Sequence, residues 1–339
     1  MKLTVLLDNL CGVMPVEVLA QTLRAALGKK LRCTGKQPLL VSTVPQDAAY
    51  GWLAENCGLQ DAAALAALLA SRGRAQPGLN YYELTPCHWE LARDHAVLAP
   101  LEALTPQEAG ELISTANAAI AAELGSSTCL MLDVHGWRLQ ALFDLPGPSF
   151  VSALTTPTLL AHTDEPAARQ ARRLLNLIQM AWHEHAVNEA RQLKGQLAIN
   201  ALWLHGGAAP AIPLPPTINF DCIIDTQHRA PLLAAVLQQP LCSFLNPQAE
   251  HALLWVDAAR DRLGFSGSIV QQPLQAQLKQ LADTIEAVPI GTTVTFLNCQ
   301  ANTLQLIRAH VIEPGWRSRL RDTFLPSKDL VECIVQTDR

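Results

Sequence analysis

LTVLLDN, residues 3 to 9, decides the fold class. A five-residue run, apolar but for Thr4, stops at Asp8 and Asn9, the pattern of a buried strand that delivers polar groups at its C-terminal end. The opening MKLTVLLDNLCGVM has the look of a signal or lipoprotein leader, but the two polar residues end its apolar run too early. Leu10 before Cys11 also breaks the small-residue pattern that lipid attachment requires. No stretch reaches the roughly 18 to 20 apolar residues of a membrane span. The run is therefore read as a strand, in a cytoplasmic protein with no membrane partner.

Outward from that strand, helix and strand patterns alternate. Val16 to Leu27 reads as a helix stopped by Gly28, and DAAALAALLASRG as a second, capped by Asp61 and ended by Gly73. Short strands are predicted at Tyr81 to Leu84, Trp89 to Leu91 and Ala96 to Leu98. Thr105 caps a helix through about Leu124, with Gln107 and Glu108 in its first turn. CLMLDV and WRLQALF form a hairpin around His135 and Gly136. One long helix is expected from Pro166 to Leu193, since Ala171, Leu174, Leu175, Ile178, Trp182 and His185 recur at helical spacing and Gly195 follows.

Leu197 to Leu204 reads as a strand, and GGAAPAIPLPP, residues 206 to 216, as a loop. Beyond it FDCIID, ALLWVD, TTVTFL and TLQLIRAH read as strands, with helices at about Ala230 to Gln238, Ala258 to Leu263 and Val270 to Ala287. The class is α/β, a mixed, mainly parallel sheet flanked by helices. Antiparallel hairpins enter where short turns join neighbours, as between 293–297 and 303–310. The 339 residues suffice for one large domain, with a secondary division into halves 1–205 and 217–339 at the Pro-rich loop.

Composition narrows the partners. With 49% apolar and 16% charged residues the chain lies far from the disordered class. The 30 acidic and 25 basic residues are mixed along it, which leaves no electrostatic footprint for nucleic acid. The most basic patch, Arg317, Arg319 and Arg321 beside Trp316, is either an anion contact or a solvated face. Nine cysteines stand singly with no CxxC, the usage of reduced, buried thiols, and Cys87 beside His88 is the candidate if any thiol is catalytic.

The polar residues that suggest chemistry are few. His185, Asn188 and Arg191 recur every three positions on one predicted helical face. They form either a ligand-contacting set or a network tying the helix end to the next strand. Asn200 and the pair Gly206-Gly207 could present polar groups to an anion, or simply make a tight turn. His183 and His185 lie about 200° apart around the helix and cannot share a metal. Asp133, His135, His162 and Asp164 assemble into a metal set only on paper, and a capping carboxylate is the plainer role for Asp164. GxSxG, GxxxxGK[ST] and GxGxxG do not occur.

HAVNEARQLKGQLAINALWLHGGAAP, residues 185 to 210, resembles a segment of the archaeal-type cofactor-independent phosphoglycerate mutases. His185, Val187, Asn188, Arg191, Lys194, Gly195, Asn200, Leu204 and Gly206 fall at positions matching that family's pattern. TPCHWELARDHAVL (85–98), WRLQAL (137–142), RRLLNLIQM (172–180) and the tail WRSRL extend a closer resemblance, to the bacterial RpfE-type regulatory proteins. The resemblance implies an alkaline-phosphatase-like fold, in which active members use two divalent metals and a serine or threonine nucleophile. Here Asp8-Asn9 replaces the Asp-Gly of active enzymes, no DHG or DHS follows, and Gln37-Pro38 occupies the place of the threonine-proline nucleophile turn, with Ser42 downstream. His205 stands where related enzymes carry arginine or another large residue.

Three functions follow from this. The first is a non-catalytic or regulatory phosphoglycerate-mutase-like protein, which binds a small phosphorylated ligand or a protein partner, needs no cofactor or metal, and makes its ligand contacts through His185, Asn188, Arg191 and Asn200. The second is a metal-dependent mutase or phosphatase using manganese or zinc. The third is a structural component of a larger assembly.

Overall fold

The computed structural model describes residues 1–8, 20–21, 23–24, 27, 31–39, 48–91, 96–99, 101, 104–133, 136–145, 166–208, 218–226, 230–246, 248–257, 274–300, 303–311 and 334. Its strands in chain order are β1 (Lys2–Asp8), β2 (Leu31–Leu39), β3 (Asn80–Leu91), β4 (Ala96–Ala99), β5 (Cys129–Asp133) and β6 (Gly136–Ala141). They continue with β7 (Ala201–Ala208), β8 (Cys222–Ile224), β9 (Leu241–Cys242), β10 (His251–Asp257), β11 (Thr293–Gln300) and β12 (Thr303–Val311). By its internal contacts the chain divides into two units, one of residues 1–52, 217–261 and 272–339, the other of 53–216 and 262–271.

The first unit is built on a seven-stranded sheet in the order β2-β12-β11-β1-β10-β8-β9. β11, β1, β10, β8 and β9 run parallel, while β12 and β2 pair antiparallel at one side. This is the mixed α/β sheet the sequence predicts. Leu3, Val5, Leu6 and Leu7 of β1 are fully buried, as a central strand covered on both faces requires. Leu278, Leu281 and Ile285 of the helix Leu274–Ala287 complete that core with Val256, Val294 and Phe296. β2 is a strand where no strand is read from LRCTGKQPL, and it tolerates Pro38 because it lies at the sheet edge.

The second unit holds an antiparallel sheet in the order β4-β3-β6-β5, with β7 also paired to β3. Its period-two alternation sends Tyr82, Leu84, Leu130, Trp137, Leu139 and Leu202 into one core. That core is closed by Leu112, Ala116 and Ile120 of the helix Pro106–Leu124 and by Ala171, Leu174, Ile178 and Trp182 of the helix Pro166–Trp182. Trp182 stacks edge-on to Trp137 at 6.1 Å and donates its indole N–H to the Leu112 carbonyl at 2.9 Å. Each of these large side chains contributes on the order of 2 to 3 kcal/mol by burial.

Both predicted N-caps are present. Asp61 accepts from the Ala64 N–H at 2.8 Å, and Thr105 and Glu108 form a reciprocal capping box. Gly73 ends its turn at φ +69°, where a Cβ would be strained.

Four expectations are corrected. The two short strands at 81–84 and 89–91 are one strand, β3, because β7 pairs continuously from Tyr81 to Cys87. β6 stops pairing at Leu84, before Pro86, which has no N–H to offer. The hairpin register places Gly136 in β6 opposite Asp133, so the second strand begins one residue earlier than predicted. Gly206 and Gly207 belong to β7, not to a loop: the register steps from His205 opposite Glu83 to Gly207 opposite Tyr82, which makes Gly206 the extra residue of a bulge. The long helix from Pro166 breaks after Trp182, and Ala186–Leu193 is a separate helix. The predicted helix at 258–263 lies outside the described residues.

Candidate functional site

In a parallel sheet, ligands collect beyond the carboxyl ends of the strands, where neighbouring strands send their connections in opposite directions. In the first unit that divergence falls between β10 and β8. β10 leads through the helix Leu274–Ala287 to β11 on the far side of β1, whereas β8 leads through the helix Ala230–Leu237 to β9 at the opposite edge. The register aligns Leu39, Leu304, Cys299, Asp8 and Asp257 in one row across this end of the sheet. Asp225 and Thr226 follow β8, and the Thr226 hydroxyl donates to the Trp255 carbonyl at 2.7 Å. Behind the row, buried Asn298 donates to the Ile334 carbonyl at 2.6 Å.

The residues singled out from the sequence lie in the second unit, and each has its own task there. His185 is the N-cap of Ala186–Leu193. Its Nδ1 accepts from the Val187 N–H at 3.2 Å, and its Nε2 lies 3.0 Å from the Thr115 hydroxyl. The Thr115 hydroxyl donates to the Glu111 carbonyl, so it receives the imidazole proton, which fixes the Nε2–H tautomer. Asn188 is buried and bonded three ways: to the Trp182 carbonyl, the Ile199 carbonyl and the Ile199 N–H. The first of these joins the His185 N–H, 3.2 Å away, on the carbonyl where the long helix breaks. Arg191, also fully buried, donates to the Leu197 carbonyl at 2.9 Å and lies 3.7 Å from Glu108. Asn200 brackets Trp89, accepting from its N–H at 2.7 Å and donating to its carbonyl at 3.1 Å. His185, Asn188 and Arg191 do not share one helical face, because His185 precedes the helix.

A group that no sequence pattern joins lies on the other face of the same antiparallel sheet. Arg72 adopts φ +57°, a left-handed conformation uncommon for arginine. Its fork meets both oxygens of Asp133 at 2.9 and 3.3 Å, while Nη1 donates to Glu83 at 3.1 Å and to the Leu69 carbonyl at 2.8 Å. Burial alone would lower its pKa, but Glu83 and Asp133 outweigh that and hold it above the ordinary value. The bulge at Gly206 lies opposite Glu83, in the same neighbourhood. The only local sign was a non-glycine residue just before a helix-ending glycine.

Other sequence candidates are placed as follows. Asp133 of the paper metal set serves Arg72, while His135, His162 and Asp164 lie outside the described residues, as do Trp316, Arg317, Arg319, Arg321 and Ser42. Cys87 is buried and its thiol pKa is driven up by that burial, the reverse of an activated nucleophile. His88 instead holds the Ala198 carbonyl at 2.6 Å. Among the described residues no group of three or more histidines, cysteines or acids is arranged to hold a metal.

No known protein family matches the chain, and no curated protein does. Among solved structures it is similar to the PH0037 protein of Pyrococcus horikoshii, at TM-score 0.46 and 12% identity over 91% of this chain and 87% of that one. It is also similar to a cofactor-independent phosphoglycerate mutase of Thermoplasma acidophilum, at TM-score 0.38 and 14% identity over 100% of this chain and 95% of that one.

Proposed function

We propose that this chain is a phosphoglycerate-mutase-like protein of the RpfE-type, alkaline-phosphatase-like kind, regulatory rather than catalytic, that binds a small phosphorylated ligand without turning it over. The observation that carries this reading is the position of Gln37-Pro38. Both residues lie in edge strand β2, laddered to Leu306 and Gln305. Two strands, β12 and β11, separate them from β1. At strand spacing that is about 14 Å across the sheet from Asp8, too far for a nucleophile there to act on a phosphoryl group held at the Asp8 end. Fixing the nucleophile turn into a ladder also removes the exposed elbow such chemistry uses.

A second reading, a mutase or phosphatase dependent on manganese or zinc, is favoured by the pairing of Asp8 with Asp257 at adjacent strand ends. Metal content and phosphoglycerate turnover of the purified protein, with and without chelator, separate the two. The regulatory reading expects saturable phosphoglycerate binding and no turnover in either state. Stoichiometric metal lost together with turnover, both abolished by Asp257→Asn, would overturn it.

A further inference from the structure

We propose that the second unit carries an oxyanion site formed by the Tyr81 hydroxyl and the Arg138 guanidinium. Tyr81 and Glu83 on β3, and Arg138 and Gln140 on β6, project from the same face, because Tyr81 pairs with Gln140 and Glu83 with Arg138. Tyr81 and Arg138 are thus diagonal neighbours, within reach of one another across the strands. The Tyr81 ring packs against Ala70, Ala75 and Leu79, beneath the turn that carries Arg72 and Arg74. The residue is 2% exposed, and its hydroxyl has no hydrogen-bond partner.

Arg138 Nε is also without a hydrogen bond. Asp133 lies 3.5 Å away, close enough for attraction but without hydrogen-bond geometry. The balance of charge points the same way. Burial, Arg72 and Arg74 together lower the Arg138 pKa more than Asp133 and Tyr81 raise it. A buried donor without an acceptor costs stability, and here two adjacent donors, a hydroxyl and a guanidinium N–H, both lack one. A phosphate or carboxylate oxygen satisfies both at once and supplies the missing negative charge. The strained backbone of Arg72 and the bulge at Gly206 are the local distortions that accompany ligand sites.

This goes beyond the regulatory reading, since it does not depend on whether any ligand is turned over. The test titrates the full chain in anion-free buffer with inorganic phosphate, sulfate and acetate, followed by calorimetry and thermal unfolding. Saturable binding of phosphate is expected in the millimolar range or tighter, with Tyr81→Phe and Arg138→Gln each weakening it about tenfold or more. Without anion, Tyr81→Phe should keep or raise the Tm, because it removes an unsatisfied hydroxyl and leaves the ring in place. Saturable binding of acetate alone would support the site and assign it to carboxylates. Absence of saturable binding by any of the three, or unchanged affinity in Tyr81→Phe, would overturn it while leaving the regulatory reading intact. Phosphoglycerate turnover would do the opposite.

Discussion

Asn188 grips Ile199 from both sides: its Oδ1 accepts from the Ile199 N–H at 2.8 Å and its Nδ2 donates to the Ile199 carbonyl at 2.9 Å. An asparagine amide has the donor and acceptor of a peptide unit, so it can stand in for a neighbouring strand. The device recurs twice in the second unit, with Asn200 on Trp89 and Asn117 on Leu130. At Leu130 it covers the outer edge of β5, the last strand of its sheet. Asn188→Ala leaves the Ile199 carbonyl and N–H unpaired in a buried place and takes from the Trp182 carbonyl one of its two donors, so a loss of about 3 kcal/mol is expected in urea unfolding. Asn188→Asp should be worse at neutral pH, since the carboxylate faces two carbonyls with nothing to donate. A variant as stable as the wild type would show that these contacts do not define the fold.

Arg72 neutralises Glu83, which is 2% exposed, and Asp133 at the same time. Removing it strands a buried charge, so Arg72→Ala is expected to cost roughly 3 kcal/mol or more. Glu83→Gln in that background should recover part of the loss, giving a coupling that a double-mutant cycle reads directly. Arg72→Gly should be milder than Arg72→Ala by about 1 kcal/mol, because glycine adopts φ +57° without strain. Equal losses for alanine and glycine would mean that the backbone at this turn relaxes once the side chain is gone.

Where the sequence was readable, one local rule decided the structure. The apolar run of β1, the caps Asp61 and Thr105, and the short turn between β11 and β12 each state their element within a few residues. The break at residues 183–185 was hidden because the apolar stripe continues in register to His185 and neither Gly nor Pro interrupts it. Instead Glu184 takes φ +58° and distant groups hold the ends. β2 was hidden because a polar segment containing proline becomes a strand only when β12 supplies its ladder. The Arg72 cluster joins residues 11 and 61 positions apart, and the first unit is completed only when the chain returns to it at Thr217. No local periodicity encodes either.

Thiol reactivity should follow burial. Cys57 is fully buried, and burial pushes its thiol up to about 12, so at pH 8 about one molecule in ten thousand carries the thiolate. Burial raises Cys87 further still. Peptide mapping after brief treatment with a thiol reagent should find Cys33 and Cys242, both partly exposed, labelled well before Cys57 and Cys87. Labelling of Cys87 in the folded protein at the rate of Cys242 would reopen its candidacy as a nucleophile.

Glu108 makes one acidic transition interpretable. Burial on its own would raise its pKa, but the Thr105 N–H and hydroxyl, then Arg191 and Lys194, favour the ionised form and hold it below the ordinary value. A carboxylate depressed in the folded state adds stability that is complete above the unfolded value of about 4.3 and is lost as pH falls through the folded one. The capping box and the contact with Arg191 should therefore weaken together below about pH 4. Urea midpoints taken between about pH 6 and pH 3 should fall more steeply for the wild type than for Glu108→Gln, which keeps an oxygen to accept from the Thr105 N–H but cannot titrate. Parallel curves would place the acid sensitivity of this unit elsewhere, with the ion pairs of Asp133 the next groups to substitute.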